Sequence, residues 1–198
     1  MPHIHTQPNQ HDVTVSAYII RKVNDEWYCL VHYHKKFDKL LQIGGHLELD
    51  ETPWQSLVHE VREEAGYSMS ELQLLQPTAD TPHPEKPIVH PVPFASNTHY
   101  VGSGHYHSDL AYAFIASDLP NASVAEGESA DLRWETVVGL QHEVKAAKAN
   151  ADTTAIYEFL LQIVNTYVCV PAINFSLLKP SEAEVEYKRG AASDQRKE

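Results

Sequence analysis

The chain has 198 residues, with 15 Lys and Arg against 27 Asp and Glu, which gives a formal charge of −12. That length suits about one domain, with a core large enough to stand without covalent staples. Two cysteines, Cys29 and Cys169, exclude both a disulfide scaffold and a four-cysteine zinc site. An acidic chain lacks the cationic face that a nucleic-acid polymer requires. Its apolar runs are too short for a membrane span. The opening MPHIHTQPNQ has no apolar stretch behind a basic one, so it is not a signal peptide. The expectation is a soluble, cytoplasmic globular protein that would repel anionic substrates unless a cation intervened.

Residues 1–10 carry two prolines and no periodicity, and read as a flexible arm. From Asp12 to Ile20 the residues alternate, with Val13, Val15, Ala17 and Ile19 on one face, which predicts a strand. Turn residues over 23–26 lead into a second strand, Trp27 to His34, as in a hairpin. A charged loop and a short apolar strand, Leu40 to Ile43, run into Gly44-Gly45. Thr52 as a cap, Pro53 in the first turn and Trp54, Leu57, Val58, Val61 and Ala65 at helical spacing predict a helix over 53–65, stopped by Gly66.

Residues 67–76 read as a strand. Residues 77–93 hold six of the twelve prolines and read as a long irregular connection. Strands are expected at 105–116 and 130–138. A last helix, capped by Asp152 or Thr153, would place Ile156, Phe159, Leu160, Ile163 and Tyr167 on one face. The segment from Ser181 onward is charged, unpatterned and expected to be mobile. Strands, helix, strands, helix is the order of a mixed α/β (α+β) sandwich.

The predicted helix carries Glu60, Glu63 and Glu64 at i, i+3 and i+4, within about 100° of one another on the helix wheel and beside the apolar face. Like charges at this spacing repel. One reading is a solvated acidic face. The other is a site for Mg²⁺ or Mn²⁺, hard cations that take carboxylate and phosphate oxygens. The neighbourhood favours the metal, because Gly44-Gly45 ends a strand just before the helix and glycine lets backbone approach a ligand closely.

The spacing runs Gly45, five residues, Glu51, eight residues, then Glu60-Val61-Arg62-Glu63-Glu64-Ala65-Gly66-Tyr67. This resembles the Nudix hydrolase motif at every fixed position but one: His59 stands where the family has Arg. Together with the downstream DLRW, the resemblance covers about residues 11–168 and leaves 169–198 as a C-terminal extension. It implies an α/β/α sandwich with a twisted mixed sheet, in which the motif forms loop, helix and loop.

By that resemblance Glu60, Glu63 and Glu64 bind the divalent metal, which would bridge a diphosphate, neutralise its charge and acidify a water. The Gly45 carbonyl would join the ligands, and Glu51 would brace the loop beside Gly44 and Gly66. Glu60 is the expected general base, with Glu128, in the loop before DLRW, as the alternative. His59 would keep the orienting role of the family Arg with a weaker grip, since imidazole is charged only below about pH 6.5.

His83, His90, His99, His105 and His107 lie in or beside the Pro-rich stretch, and His105, His107 and Asp109 would share one strand face. Three readings stay open for them: a polar sheet face, the wall of a substrate pocket, or a transition-metal site. Tyr112 is a further candidate for the pocket, through stacking on a base.

The function implied is hydrolysis of a nucleoside diphosphate linked to another group, or of a related organic pyrophosphate. The substrate is a small molecule, and the resemblance allows a homodimer. A regulatory module that binds without turnover is a second reading, against which the intact glutamates argue. An isoprenoid-diphosphate isomerase is a third, disfavoured because neither cysteine lies near the motif.

Overall fold

The computed structural model describes residues 6–80, 88–101, 104–175 and 177–178. Parts of three sequence readings therefore fall outside it: residues 1–5 of the arm, residues 81–87 of the Pro-rich connection with His83, and the segment from Ser181.

The elements in chain order are β1 (His11–Val23), β2 (Glu26–His34), β3 (Lys39–Leu41), β4 (Ile43–His46), α1 (Pro53–Ala65), β5 (Leu72–Gln76), β6 (Ala95–Val101), β7 (His105–Ala116), β8 (Leu132–Glu135), α2 (Val137–Lys145), α3 (Ala151–Ile163) and β9 (Val168–Pro171). The main sheet order is β3-β2-β1-β7-β5-β9, with β4 on β1, β6 on β7 and β8 on β2. The pair β1–β7 is parallel and the others are antiparallel, so the sheet is mixed. Its centre is β1, which pairs with β2 through Ile20–Val23 and with β4 through Thr14–Ala17.

Odd residues of β1 (Val15, Ala17, Ile19) pack with Trp54, Leu57, Val61 and Ala65 of α1. Even ones (Tyr18, Ile20) pack with Leu140 of α2 and with Tyr157 and Leu160 of α3. Each such aliphatic side chain contributes roughly 1.5–3 kcal/mol of transfer free energy, which is what holds the helices on the two faces. Among the described residues no helix is long and apolar enough to cross a membrane.

The helix over 53–65 forms as its sequence predicts. Thr52 Oγ1 accepts from Gln55 N at 3.3 Å while Thr52 N donates to Gln55 Oε1 at 2.8 Å, a reciprocal cap. Gly66 closes the helix at φ +72°, with the Ala122 carbonyl so close that a Cβ would lie 2.2 Å from it.

Four readings need correction. The strand expected over 67–76 begins only at Leu72, because Ser68 and Glu71 cap a single 3-10 turn at 69–71. The strand expected over 130–138 is the four-residue β8 followed by α2, whose cap is Thr136 Oγ1 accepting from Gly139 N at 3.0 Å. The cap of α3 is Asn150, not Asp152 or Thr153. Strands β6 and β9 were not anticipated. The first is polar and largely exposed, so it lacks an apolar alternation, and the second is only four residues long.

Candidate active site

α1 lays its acidic edge against the strand end that carries the two glycines. Gly44 N donates to Glu64 Oε2 at 2.9 Å. A Cβ on Gly45 would sit 2.0 Å from Glu60 Oε1, so the Glu60 carboxylate fills the space a side chain there would occupy. Both acids are withdrawn from water. Burial first, then the charge of Glu60, raises Glu64 to about 9 despite the Gly44 N–H, and Glu128 and Glu63 push it further the same way. Burial also raises Glu60, to about 7; His59 opposes this and Glu128, Glu63 and Glu51 reinforce it. A buried acid and a half-buried one pressed into one place, both resisting ionisation, suit a divalent cation as counter-charge.

Glu63 and Glu51 lie further out, joined through His59. The imidazole is 3.0 Å from Glu63 Oε1 through Nε2 and 3.4 Å from Glu51 Oε1 through Nδ1. Burial pulls the His59 pKa down, but the hydrogen bond to Glu63 and the charges of Glu63, Glu51 and Glu60 outweigh it, and the net shift is upward. Ser56 Oγ donates to Glu51 Oε2 at 2.7 Å and so steadies the loop into the helix.

The loop that carries Glu128 is pinned to the end of α1. Ala125 N donates to the Glu63 carbonyl at 2.7 Å, and Glu128 N donates to the Ala125 carbonyl at 3.2 Å. This brings the Glu128 charge to bear on both Glu60 and Glu64.

His32 is a member of this neighbourhood that sequence reasoning missed. It is buried, with Nδ1 3.7 Å from Glu64 Oε1. Burial and the neighbouring His34 hold its pKa down at about 4, so it faces Glu64 uncharged. Its one sequence signal was its parity with Leu30 on the face that α1 covers.

His105 and His107 lie apart from the glutamates. On β1 and β7 they share a face with Thr14, Ser16 and Asp109, whose Oδ1 accepts from both hydroxyls at 2.9 Å. That is the face α1 does not cover. His46, next in the chain to Gly45, joins them, with Nε2 at 3.2 Å from His107 Nε2. Burial and the charges of His46, His99 and His105 hold His107 at about 4. A cavity of about 370 Å³ is lined nearby by Ser96, Asn97, Thr98, Ser108, Asp109 and Leu110. Tyr112 is elsewhere: at 2 % exposure it is a core residue, its ring meeting Trp54 at 5.8 Å.

The family model described as the NUDIX domain matches residues 10–156. The chain belongs to the Nudix family. Its activity class is that of a Nudix pyrophosphohydrolase, and the family generally uses a divalent metal. No curated protein matches the chain by sequence.

Among solved structures, a Nudix-family hydrolase from Clostridium perfringens is similar over 77 % of this chain and 97 % of its own, at 24 % identity and a TM-score of 0.60. An Ap4A hydrolase from C. elegans, solved as a binary complex, covers 78 % of this chain and 98 % of its own, at 14 % identity and a TM-score of 0.58. The NUDIX domain of Shewanella oneidensis NrtR, solved with ADP ribose, covers 78 % and 88 %, at 12 % identity and a TM-score of 0.54. At these identities the likeness is one of fold. Within that fold, the Nudix motif of this chain is the loop, helix and loop that bring Gly44, Gly45, Glu60 and Glu64 together.

Proposed function

We propose that this Nudix protein is a cytoplasmic hydrolase, dependent on Mg²⁺ or Mn²⁺, that cleaves the diphosphate linkage of a small nucleotide or related organic pyrophosphate. The observation that carries the reading is the convergence of Glu60 and Glu64 on the two glycines: the Glu60 carboxylate fills the side-chain space of Gly45, and Glu64 accepts from Gly44 N. Glu60, Glu64 and the Gly45 carbonyl would hold the cation. Glu63 would add the oxygen that His59 does not engage. When bound, the ion neutralises the diphosphate and makes phosphorus more electrophilic.

The chain's own residues supply the rest. Glu60 orients the attacking water and takes its proton as the general base. The water oxygen bonds to phosphorus, the anhydride P–O bond breaks, and phosphate or a monophosphate leaves with the electron pair. Glu128 holds negative charge close to Glu60 and keeps its proton affinity high. His59 positions Glu63 and Glu51. The Pro-rich connection and the face bearing His105 and His107 are the proposed determinants of substrate choice, and a homodimer is the proposed assembly.

The test is a panel with Mg²⁺: ADP-ribose, a dinucleoside polyphosphate, nucleoside triphosphates, sugar nucleotides and isoprenoid diphosphates, with products identified by mass. Phosphate or nucleoside monophosphate that disappears in Glu64→Gln is the expected result. Binding without turnover, or an isomerised isoprenoid, overturns it.

A further inference from the structure

The face of the sheet away from α1 carries a second constellation. His46 of β4 pairs opposite Thr14 on one side of β1. On the other side, Asp12 of β1 pairs opposite His107 of β7, and His105 lies two residues along on the same face. Register thus gathers three imidazoles and a carboxylate over the start of β1. One ring nitrogen from each of His46, His105 and His107 lies within 4.8 Å of the others. Asp12 Oδ2 is 3.7 Å from His46 Nε2 and is a buried oxygen with no hydrogen-bond partner, on a residue only 4 % exposed. A carboxylate oxygen withdrawn from water and left unbonded calls for a cation.

We propose that His46, His105 and His107, with Asp12 as fourth ligand, bind a Zn²⁺ ion that clamps β4 to β7 across β1, separate from the glutamate site. Three imidazoles and one carboxylate form a donor set for a borderline cation, not for Mg²⁺, which favours oxygen. The geometry is close to what such an ion needs. Tetrahedral nitrogens at roughly 2.0–2.1 Å from zinc stand about 3.3–3.4 Å apart. The His46–His107 separation of 3.2 Å is already there. The remaining pairs, which lie within 4.8 Å, need to close by at most about 1.5 Å through side-chain rotation.

The two sites are distinct although adjacent in sequence. Gly45 and His46 are consecutive residues of one strand, so they address opposite faces. Gly45 touches Glu60 beneath α1, and His46 meets His107 on the other side. Softness of ligand sorts the metals: Mg²⁺ to the carboxylates, Zn²⁺ to the imidazoles. Since β4 delivers both Gly44 and Gly45, a clamp at His46 would steady the strand end against which Glu60 and Glu64 are placed.

The test uses the full chain, stripped with chelator and returned to buffer with excess Mg²⁺ so that the carboxylate site is saturated. Zn²⁺ is titrated by calorimetry, bound metal is counted by mass spectrometry, and Co²⁺ serves as a coloured substitute. One tight Zn²⁺ per chain is expected, together with the intense visible absorption of tetrahedral Co²⁺. Altering an outer partner of a metal ligand already costs roughly 10–100-fold in affinity. Loss of a ligand in His46→Gln or His107→Gln should therefore weaken Zn²⁺ by more than about 100-fold, and Asp12→Asn by less. The double variant Glu60→Gln, Glu64→Gln should bind Zn²⁺ as the parent does. That arm leaves the three histidines and Asp12 unchanged and separates this site from the hydrolytic one. No tight Zn²⁺, affinity unchanged in folded His46→Gln and His107→Gln, or loss in the glutamate double variant would each overturn the proposal.

Discussion

Glu60 Oε1 stands 2.0 Å from the point where a Cβ on Gly45 would be built. The two residues are locked together: the carboxylate has its place because the glycine has no side chain. Gly45→Ala should therefore expel a movable side chain without displacing backbone. The expected result is a loss of at least about 100-fold in kcat/KM with a folding change under about 1 kcal/mol. Gly44→Ala is the contrast. Its Cβ would meet the Val15 carbonyl at 2.2 Å, and φ is +145°, so backbone must yield. Destabilisation of about 2–3 kcal/mol or more is expected. Denaturant melts beside kinetics on both variants check the split, and equal effects on stability would refute it.

The raised carboxylates make the metal-free protein sensitive to alkali. Glu60 at about 7 and Glu64 at about 9 lie above the ordinary carboxylate value near 4.5, which the unfolded chain would show. The folded state binds the extra protons, so its stability is fullest below the unfolded value and is lost as pH rises through 7 and then 9. Tm of chelated protein should fall from pH 6 to pH 9 more steeply than that of Glu64→Gln, which has no charge to bury. Stabilisation by Mg²⁺ should grow over the same interval. Parallel curves for parent and variant would show that Glu64 ionises freely.

His59 joins Glu51 to Glu63 with a charge that depends on pH. Its pKa is raised in the folded chain, so the attraction is complete at low pH and fades as pH climbs through that raised value. His59→Arg should keep its activity at pH 8–9 better, relative to its own rate at pH 6, than the parent does. His59→Ala should lose several-fold at pH 6 and less at pH 9, in keeping with the modest value of a half-exposed pair. Identical pH profiles for parent and His59→Ala from pH 6 to 9 would remove the positioning role.

What could be read in the sequence was what is local. α1 is specified by Thr52, Pro53, five apolar residues at helical spacing and Gly66, all within one short stretch, and the helix carries its acids wherever it packs. Failures came where distant strands or weak local preferences decide. Val137-Val138-Gly139 looks like strand or turn by propensity, and only the Thr136 cap and the packing of Leu140 make it helical. The meeting of His46 with His107 depends on both strands pairing with β1 in one register, which no spacing along the chain reveals. Tyr112 shows the reverse error, since an aromatic that could stack on a base is more useful to the core beside Trp54.

The assignment of the proton acceptor can be decided between Glu60 and Glu128. Glu60 is packed against Gly45, whereas Glu128 lies on the 122–128 loop and reaches the site through its charge. General-base removal typically costs 10²–10⁴-fold. Glu60→Gln should lose about 10³-fold in kcat, and Glu128→Gln less than about 10-fold. Glu128→Gln also removes a negative charge that raises Glu60, so the acid limb of its pH–rate profile should move to lower pH. Pre-steady-state rates at saturating Mg²⁺, followed from pH 5 to 9, measure both quantities. A deeper loss in Glu128→Gln than in Glu60→Gln would transfer the role of base to the loop and leave Glu60 as a ligand alone.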